Sequence, residues 1–342
     1  MSTPHIALYR KYRPQSFSDV VGQEQLVDIL QSTIKQKKIS HAYLFCGGRG
    51  TGKTTVARIF AREIGCHPED IIEIDAASNR GIDEIRELRE AVRTAPFSSP
   101  YKVYIVDEAH MLTKEAANAL LKTLEEPPSH VVFILATTDP DKLPTTIVSR
   151  CQKITFVSPD VETLTKRLMY VAEQEGKELD AKTASLIATH GRGSYRDALG
   201  VLEQILTTSG KNITHNNVLA FLGVADKDVL LNVLTALCKK DKALLAESFK
   251  KLEDSHSSPL KTYDDIVEMV RTGLLSRIGE RHGDASSLAS LVASLAKEFP
   301  YVISSKTILS LLAHRHLLEV SALSAWIAFE ASMVEILGEG TA

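Results

Sequence analysis

The stretch that most constrains this chain is Gly47-Gly48-Arg49-Gly50-Thr51-Gly52-Lys53-Thr54. It matches the spacing G-x-x-x-x-G-K-[ST] in full. It follows a short apolar run, Tyr43–Cys46, and opens a helical pattern, Thr54–Ile64. Strand, glycine-rich loop and helix in that order is the context a phosphate-binding loop needs. The glycines let backbone N–H groups curl around phosphate oxygens, and the helix N-terminus adds partial positive charge. Lys53 can reach the β/γ-phosphates and the Thr54 hydroxyl can ligate Mg²⁺, with Thr55 next in line. The plainer alternative is a glycine-rich turn with no ligand.

The surrounding pattern is the one such a loop requires. Apolar runs at Tyr43–Cys46, Ile71–Ile74, Val103–Val106, Val131–Ala136 and Lys153–Phe156 are short and bounded by turn residues. Helical patterns lie between them, at Thr54–Ile64, Asp83–Thr94 and Lys114–Glu125. Alternation of this kind predicts an α/β core, a parallel sheet with helices on both faces. After Ser158-Pro159-Asp160 the strand signals stop, and helix follows helix to the end. The breaks fall at Gly191, Gly193, Gly210, Gly223 and Pro259. One boundary is expected near Pro159 and a second near Val224–Asp228. The expected division is therefore an ATPase core over 1–158, a helical lid over 159–225 and a helical collar over 226–342. At 342 residues the chain has the length for two or three domains.

Two further strand ends carry chemistry. Val103–Val106 delivers Asp107 and Glu108 at its carboxyl end, where open α/β sheets bind ligands. Asp107 suits Mg²⁺, and Glu108 suits polarising an attacking water. Alone, the pair would read as a solvated acidic turn; beside a complete phosphate loop the functional reading leads. The string Asp107-Glu108-Ala109-His110 also occurs in a class of helicases, but no other helicase block surrounds it. Phe133–Ala136 ends in Thr137 and Thr138, which on local grounds cap a turn as readily as they touch a phosphate.

Composition excludes several alternatives. No apolar run is long enough to cross a bilayer, and residues 1–13 have no apolar signal region, so a cytoplasmic protein with no membrane contact is expected. The formal net charge of −3 means that any nucleic-acid contact must come from a local basic patch. The 4 cysteines, Cys46, Cys66, Cys151 and Cys238, are far apart and read as reduced thiols, not as a disulfide framework.

Several motifs occur in an order used by one family. They are Val20-Val21-Gly22-Gln23, the phosphate loop, Asp107-Glu108, Leu120–Pro128, Ser149-Arg150-Cys151 and Gly193-Ser194-Tyr195-Arg196-Asp197-Ala198. The opening Leu8–Pro14 and the run Glu73–Ser78 narrow it further. Together they resemble the gamma/tau subunits of bacterial DNA polymerase III clamp loaders, which are AAA+ ATPases. The likeness is dense from Tyr9 to Leu202. It implies an ATPase that uses ATP and Mg²⁺ to open a sliding clamp and load it onto primed DNA. The implied partners are the clamp, delta and delta-prime subunits, further copies of itself, and duplex DNA held through its phosphates. It implies Thr138 as the first sensor and Arg196 as the second. Arg150 becomes an arginine finger reaching the ATP of a neighbouring subunit. Tyr12, Arg13, Pro14, Val20 and Val21 would form the adenine pocket, and Arg86, Lys122 and, more weakly, Arg80 the DNA-tracking set. Without the family, Arg150 would read as a surface ion pair and Arg196 as a helix charge paired with Asp197.

The chain departs from the family where a cysteine-built zinc module usually follows the phosphate-loop helix. Here Gly65–Ile72 runs directly into the next strand with Cys66 alone, so no zinc is expected. The rival readings are another AAA+ DNA motor, and a non-hydrolysing delta-prime-like subunit of the same assembly. Ser149-Arg150-Cys151 and Thr123–Pro128 argue against the first. The intact Lys53-Thr54 and Asp107-Glu108 argue against the second.

Overall fold

The computed structural model describes residues 6–78, 81, 88, 90–208, 213–255, 257–279, 287–320 and 325–339. Arg80, Arg86 and half of the expected helix Asp83–Thr94 lie outside the described residues. The chain forms two compact units, Met1–Asn212 and Ile213–Ala342.

The first unit is built on five parallel strands: β1 (Ala42–Cys46), β2 (Ile71–Asp75), β3 (Lys102–Asp107), β4 (Val131–Thr137) and β5 (Gln152–Thr155). Their order across the sheet is β2-β3-β4-β1-β5. Cys46 pairs with Thr137 at one end of the β1–β4 ladder, and Cys46 with Thr155 across β1–β5. The period-2 geometry of a strand divides each run between two cores. Tyr43, Phe45, Val103, Ile105, Val132 and Ile134 pack on one face; Ala42, Leu44, Tyr104, Val106, Phe133 and Leu135 pack on the other. Every residue of β4 is buried, as expected of a central strand in a sheet covered on both sides.

Helix α1 (Leu8–Lys11) packs on the helix over Tyr195–Thr208, the Leu8 amide donating to Glu203 Oε2 at 3.2 Å. Helices α2 (Glu24–Lys35), α3 (Lys53–Glu63), α4 (Lys114–Glu125) and α5 (Thr145–Val148) belong to the sheet layer. Amphipathic α2 buries Leu26, Val27 and Leu30. The Thr113 side chain caps α4 by accepting from the Ala116 amide at 3.2 Å. Three further helices follow Pro159: α6 (Val161–Gln174), α7 (Ala181–His190) and α8 (Tyr195–Thr208). Asp160 and Asp180 cap the first two, accepting from the Thr163 amide at 2.7 Å and the Thr183 amide at 2.9 Å. The Pro159-Asp160 break seen in the sequence is thus a helix start.

Because all five strands run the same way, their carboxyl ends lie along one edge. The loop after β1, Asp107 at the end of β3 and Thr137 at the end of β4 therefore meet there, with β4 between the other two. The Gly47 amide donates to the Thr137 carbonyl at 3.3 Å, joining the phosphate loop to that edge. Cys66 lies at the opposite side of α3, packed in the core, with its thiol donating to the Tyr101 carbonyl at 3.3 Å. Burial pushes that thiol above its ordinary range, and pushes Cys151 and Cys238 up to about 12.

The second unit is helical: α9 (His215–Leu222), α10 (Lys227–Lys239), α11 (Lys242–Asp254), α12 (Pro259–Arg277), α13 (Ser287–Glu298), α14 (Ser305–Val320) and α15 (Ala325–Glu339). Its core gathers Val233, Leu234, Tyr263, Ile266, Leu311 and Phe329. Gly273 is required where α12 meets α13. A Cβ there would lie 2.8 Å from Ile303 and 3.2 Å from Ala296. Helix α9, which the sequence pattern groups with the lid, is tied to the start of α12. The Ser258 amide donates to the Gly223 carbonyl at 3.1 Å, and Lys261 Nζ to the Leu222 carbonyl at 3.3 Å.

Candidate nucleotide site

A cavity of about 930 Å³ opens at the carboxyl edge of the sheet in the first unit. Its floor is the phosphate loop. Gly50 and Gly52 take φ of +69° and +102°, the left-handed region that glycine enters without a Cβ penalty. Thr51 Oγ1 donates back to the Gly48 carbonyl at 2.9 Å and fixes the turn. Lys53 opens α3 and bends over the loop, its ammonium donating to the Gly47 and Gly48 carbonyls at 2.8 Å each. Burial lowers the Lys53 pKa, an effect that Glu108 and Asp107 oppose.

The acidic wall comes from β3. Thr54 Oγ1 donates to Asp107 Oδ2 at 2.7 Å, and the Glu108 amide donates to Asp107 Oδ1 at 3.0 Å. Glu108 itself sits at φ +47°, a sparsely populated backbone region for a residue with a Cβ. Thr138 Oγ1 donates to Glu108 Oε2 at 3.2 Å. A hydroxyl beside an adjacent carboxylate at the end of a phosphate loop is the donor set that Mg²⁺ takes, hard oxygen ligands at one or two protein positions. The residues present therefore fit a magnesium–nucleotide complex.

The remaining walls come from the N-terminal segment and from the helices after Pro159. Tyr12, Arg13, Pro14, Val20 and Val21 all line the cleft, as does Arg49. Arg13 Nε donates to Thr55 Oγ1 at 2.9 Å. Its pKa is lowered by burial and then by Arg58. Arg196 enters from α8, with its guanidinium 5.8 Å from the Tyr9 ring centre. The lid and the loop touch directly: the Tyr195 amide donates to the Gly50 carbonyl at 3.0 Å, and Tyr195 Oη to the Val21 carbonyl at 2.7 Å.

Not every residue singled out in the sequence reaches the cleft. Thr138 contacts it only through Glu108. Gly47 and Gly48 present their carbonyls to Lys53. Lys122 is exposed on α4. Arg150 follows α5 and precedes β5, at the amino edge of the sheet. Its guanidinium pairs with Glu125 at 2.7 Å and donates to the Thr146 carbonyl at 2.8 Å. The cleft also takes residues that the sequence motifs did not flag. Tyr9 stands under Arg196. Arg167 of α6 lines the wall and donates to the Tyr12 carbonyl at 2.6 Å. Glu175, just past α6, accepts from Lys11 Nζ at 2.7 Å and from Tyr12 Oη. The Leu8–Pro14 run contains Tyr9 and Lys11, but nothing in the pattern of α6 points Arg167 toward a ligand.

This sheet order, phosphate loop and helical lid define a nucleotide-binding P-loop fold of the AAA+ kind. Comparison with solved structures agrees. The Holliday junction branch migration motor RuvB of Thermotoga maritima superimposes with a TM-score of 0.53 at 21% identity, over 69% of this chain and 85% of that one. A family model described as DNA polymerase III, delta subunit, matches residues 22–80 and 69–160. DNA polymerase III subunit tau of Bacillus subtilis is 41% identical over 290 residues, 79% of this chain and 52% of that protein. DNA polymerase III subunit gamma of Buchnera aphidicola is 37% identical over 284 residues, 77% of each. The chain belongs to the DNA polymerase III gamma/tau subunit family. It spans about half the length of the first tau and gamma/tau relatives, 52% and 50%. No helix among the described residues is long and apolar enough to cross a membrane.

Proposed function

We propose that this chain is an ATPase subunit of a replicative clamp loader, using ATP binding and hydrolysis to open a ring-shaped sliding clamp and load it onto primed DNA. The observation that carries the ATPase reading is the single cluster of Lys53, Thr54, Asp107 and Glu108, with Thr54 Oγ1 2.7 Å from Asp107 Oδ2. Family membership carries the clamp-loading reading.

In this reading the loop amides and Lys53 hold the phosphates, Lys53 exchanging its two carbonyl bonds for phosphate oxygens. Thr54 and Asp107 would hold Mg²⁺, which when bound neutralises charge on the phosphates. Glu108 polarises the attacking water, Thr138 holds Glu108, and Arg196 meets the γ-phosphate from the lid. Tyr12, Arg13, Pro14, Val20 and Val21 surround the base. Arg150 serves the ATP of a neighbouring subunit. Its pairing with Glu125 is 35% and 48% exposed, and an exposed pair contributes only about 0–1 kcal/mol. Release to another chain is therefore inexpensive. Lys122 would follow duplex phosphates without reading bases. The core, lid and collar division, with the collar joining copies of this chain to delta and delta-prime subunits, belongs to the same proposal.

Reconstitution tests it. The full-length protein, mixed with clamp, delta and delta-prime subunits, should load clamp onto primed DNA only with hydrolysable ATP. ATP-independent loading would refute the motor role. Failure of the isolated chain to bind ATP would favour a structural subunit.

A further inference from the structure

Glu108 is held from behind by a side chain that the proposed chemistry does not use. The Met111 amide donates to the Glu108 carbonyl at 2.8 Å, closing a tight turn over Ala109–Met111. That turn, entered through the left-handed Glu108, brings His110 back against the end of β4. His110 Nδ1 lies 3.0 Å from Thr137 Oγ1 and 3.5 Å from Glu108 Oε2. The imidazole side chain is only 11% exposed. Thr137, fully buried in β4, also accepts from the Asp139 amide at 3.0 Å. His110 is not part of the cleft wall, whereas Glu108 is.

The two distances have different weight. At 3.0 Å the contact with Thr137 is a hydrogen bond and sets the ring's orientation; 3.5 Å is too long for a strong one. The second contact is an electrostatic one, and its sign depends on what Nδ1 carries. A lone pair there would face the Glu108 carboxylate oxygen. An N–H there faces both oxygens attractively, so the field of Glu108 favours hydrogen on Nδ1. The Thr138 hydroxyl donates to the same Glu108 oxygen. Both contacts fall on Oε2 and neither uses Oε1.

We propose that His110 is a positioning residue for Glu108: anchored on Thr137, it presents an N–H edge that, with Thr138, pins Glu108 Oε2 and leaves Oε1 turned to the attacking water. This rests on the reading of Glu108 as the water-polarising group. The contact is worth having because the rate of such a step depends on holding the reacting groups within a fraction of an ångström of the productive geometry.

The test is a double-mutant cycle on ATP hydrolysis by the full-length protein in its assembled complex, with nucleotide affinity measured in parallel. His110→Ala should lower kcat about tenfold, the equivalent of one lost positioning contact, and change nucleotide affinity by less than about twofold. His110→Asn, whose amide nitrogen can occupy the place of Nδ1, should recover most of the rate. In a Glu108→Gln background, removing His110 should cost less than about twofold, since the carboxylate it positions is gone. A full tenfold loss in that background would show a structural role and overturn the proposal. So would an unchanged kcat in His110→Ala, no recovery in His110→Asn, or a fall in nucleotide affinity as large as the fall in rate. Unchanged turnover in Glu108→Gln alone would instead remove the reading of Glu108, and with it this one.

Discussion

Gly50→Ala is the substitution whose cost can be worked most directly from the structure. Gly50 sits at φ +69°, where an L-residue loses about 1–2 kcal/mol. A Cβ built there would lie 2.0 Å from Ser194 Oγ, 3.0 Å from Ser194 Cβ and 3.4 Å from Arg196 Cβ. Ser194 cannot simply turn aside. It is 5% exposed, and its Oγ accepts from the Asp197 amide at 3.2 Å, capping α8. Losing that cap costs about 1 kcal/mol, and crowding a packed site adds about 1–3 kcal/mol. Since the substituted protein can take the lesser of the two steric costs, about 1 kcal/mol, adding the backbone strain puts about 2–3 kcal/mol on the arrangement that docks the lid on the phosphate loop. We expect nucleotide affinity of Gly50→Ala to fall by at least about tenfold, with unfolding of the whole chain shifted to lower denaturant. Ser194→Gly removes both clashing atoms, so Gly50→Ala combined with Ser194→Gly should be milder than the two single effects summed. Strict additivity in titration calorimetry would refute the steric argument, because the two residues would then not be in contact across the lid.

Lys53→Ala should weaken ATP binding by about 1.5–3 kcal/mol, the worth of a charge-assisted contact, and abolish hydrolysis; wild-type affinity by calorimetry would remove Lys53 from the phosphate site. Arg150→Ala should leave ATP binding by the lone chain intact while sharply reducing hydrolysis in the assembly; arginines of this kind contribute about 10³–10⁵ in rate in other P-loop enzymes. A loss of binding by the isolated chain would show that Arg150 acts on its own nucleotide. Elemental analysis should find no stoichiometric zinc, because Cys66 is committed to the core beside Tyr101; about one zinc per chain would point to ligands other than Cys66.

The inner strands β1, β3 and β4 were legible because each is an apolar run buried on both faces with sharp polar ends. The partly exposed edge strands β2 and β5 were legible from short runs of β-branched residues bounded by turns. The five expected runs match β1–β5 to within one residue at either end, β5 lying one position earlier than its apolar pattern suggests. What periodicity does not encode is order. Nothing in the spacing says that β4 lies between β1 and β3, although that placement is what brings Thr138 to Glu108. The phosphate loop and the Asp107-Glu108 pair were legible because local backbone chemistry builds them. Arg167, Tyr9 and Glu175 were not, because their place in or beside the cleft depends on how α1 packs against the lid helices. His110 shows a different failure. Its motif string drew attention only as a helicase likeness, and its contact with Thr137 joins residues far apart in sequence. In the second unit the repeated helical pattern was plain, but α14 is apolar around much of its circumference. Leu311 and Leu318 are buried while Leu309 and Leu312 are exposed, so its inward face could not be read from the sequence.

The cleft is closed by groups whose ties converge on backbone carbonyls. Lys53 holds the Gly47 and Gly48 carbonyls, the Tyr195 amide holds that of Gly50, Tyr195 Oη that of Val21, and Arg167 that of Tyr12. Loop, N-terminal segment and lid are thus linked by donors that bear on the same small region. Anything that draws Lys53 onto phosphate oxygens releases two carbonyls within three residues of the Gly50 tie. In the proposed reading the lid would be coupled to the phosphates twice, once through Arg196 and once through the loop's own backbone. The second route needs no side chain to move far. A loop that shifts by a few tenths of an ångström already changes the packing of Gly50 against Ser194, which is close enough that a Cβ at position 50 would lie 2.0 Å from Ser194 Oγ. For that reason the lid's response to nucleotide should be sensitive to Gly50 and Ser194 as well as to Lys53 and Arg196.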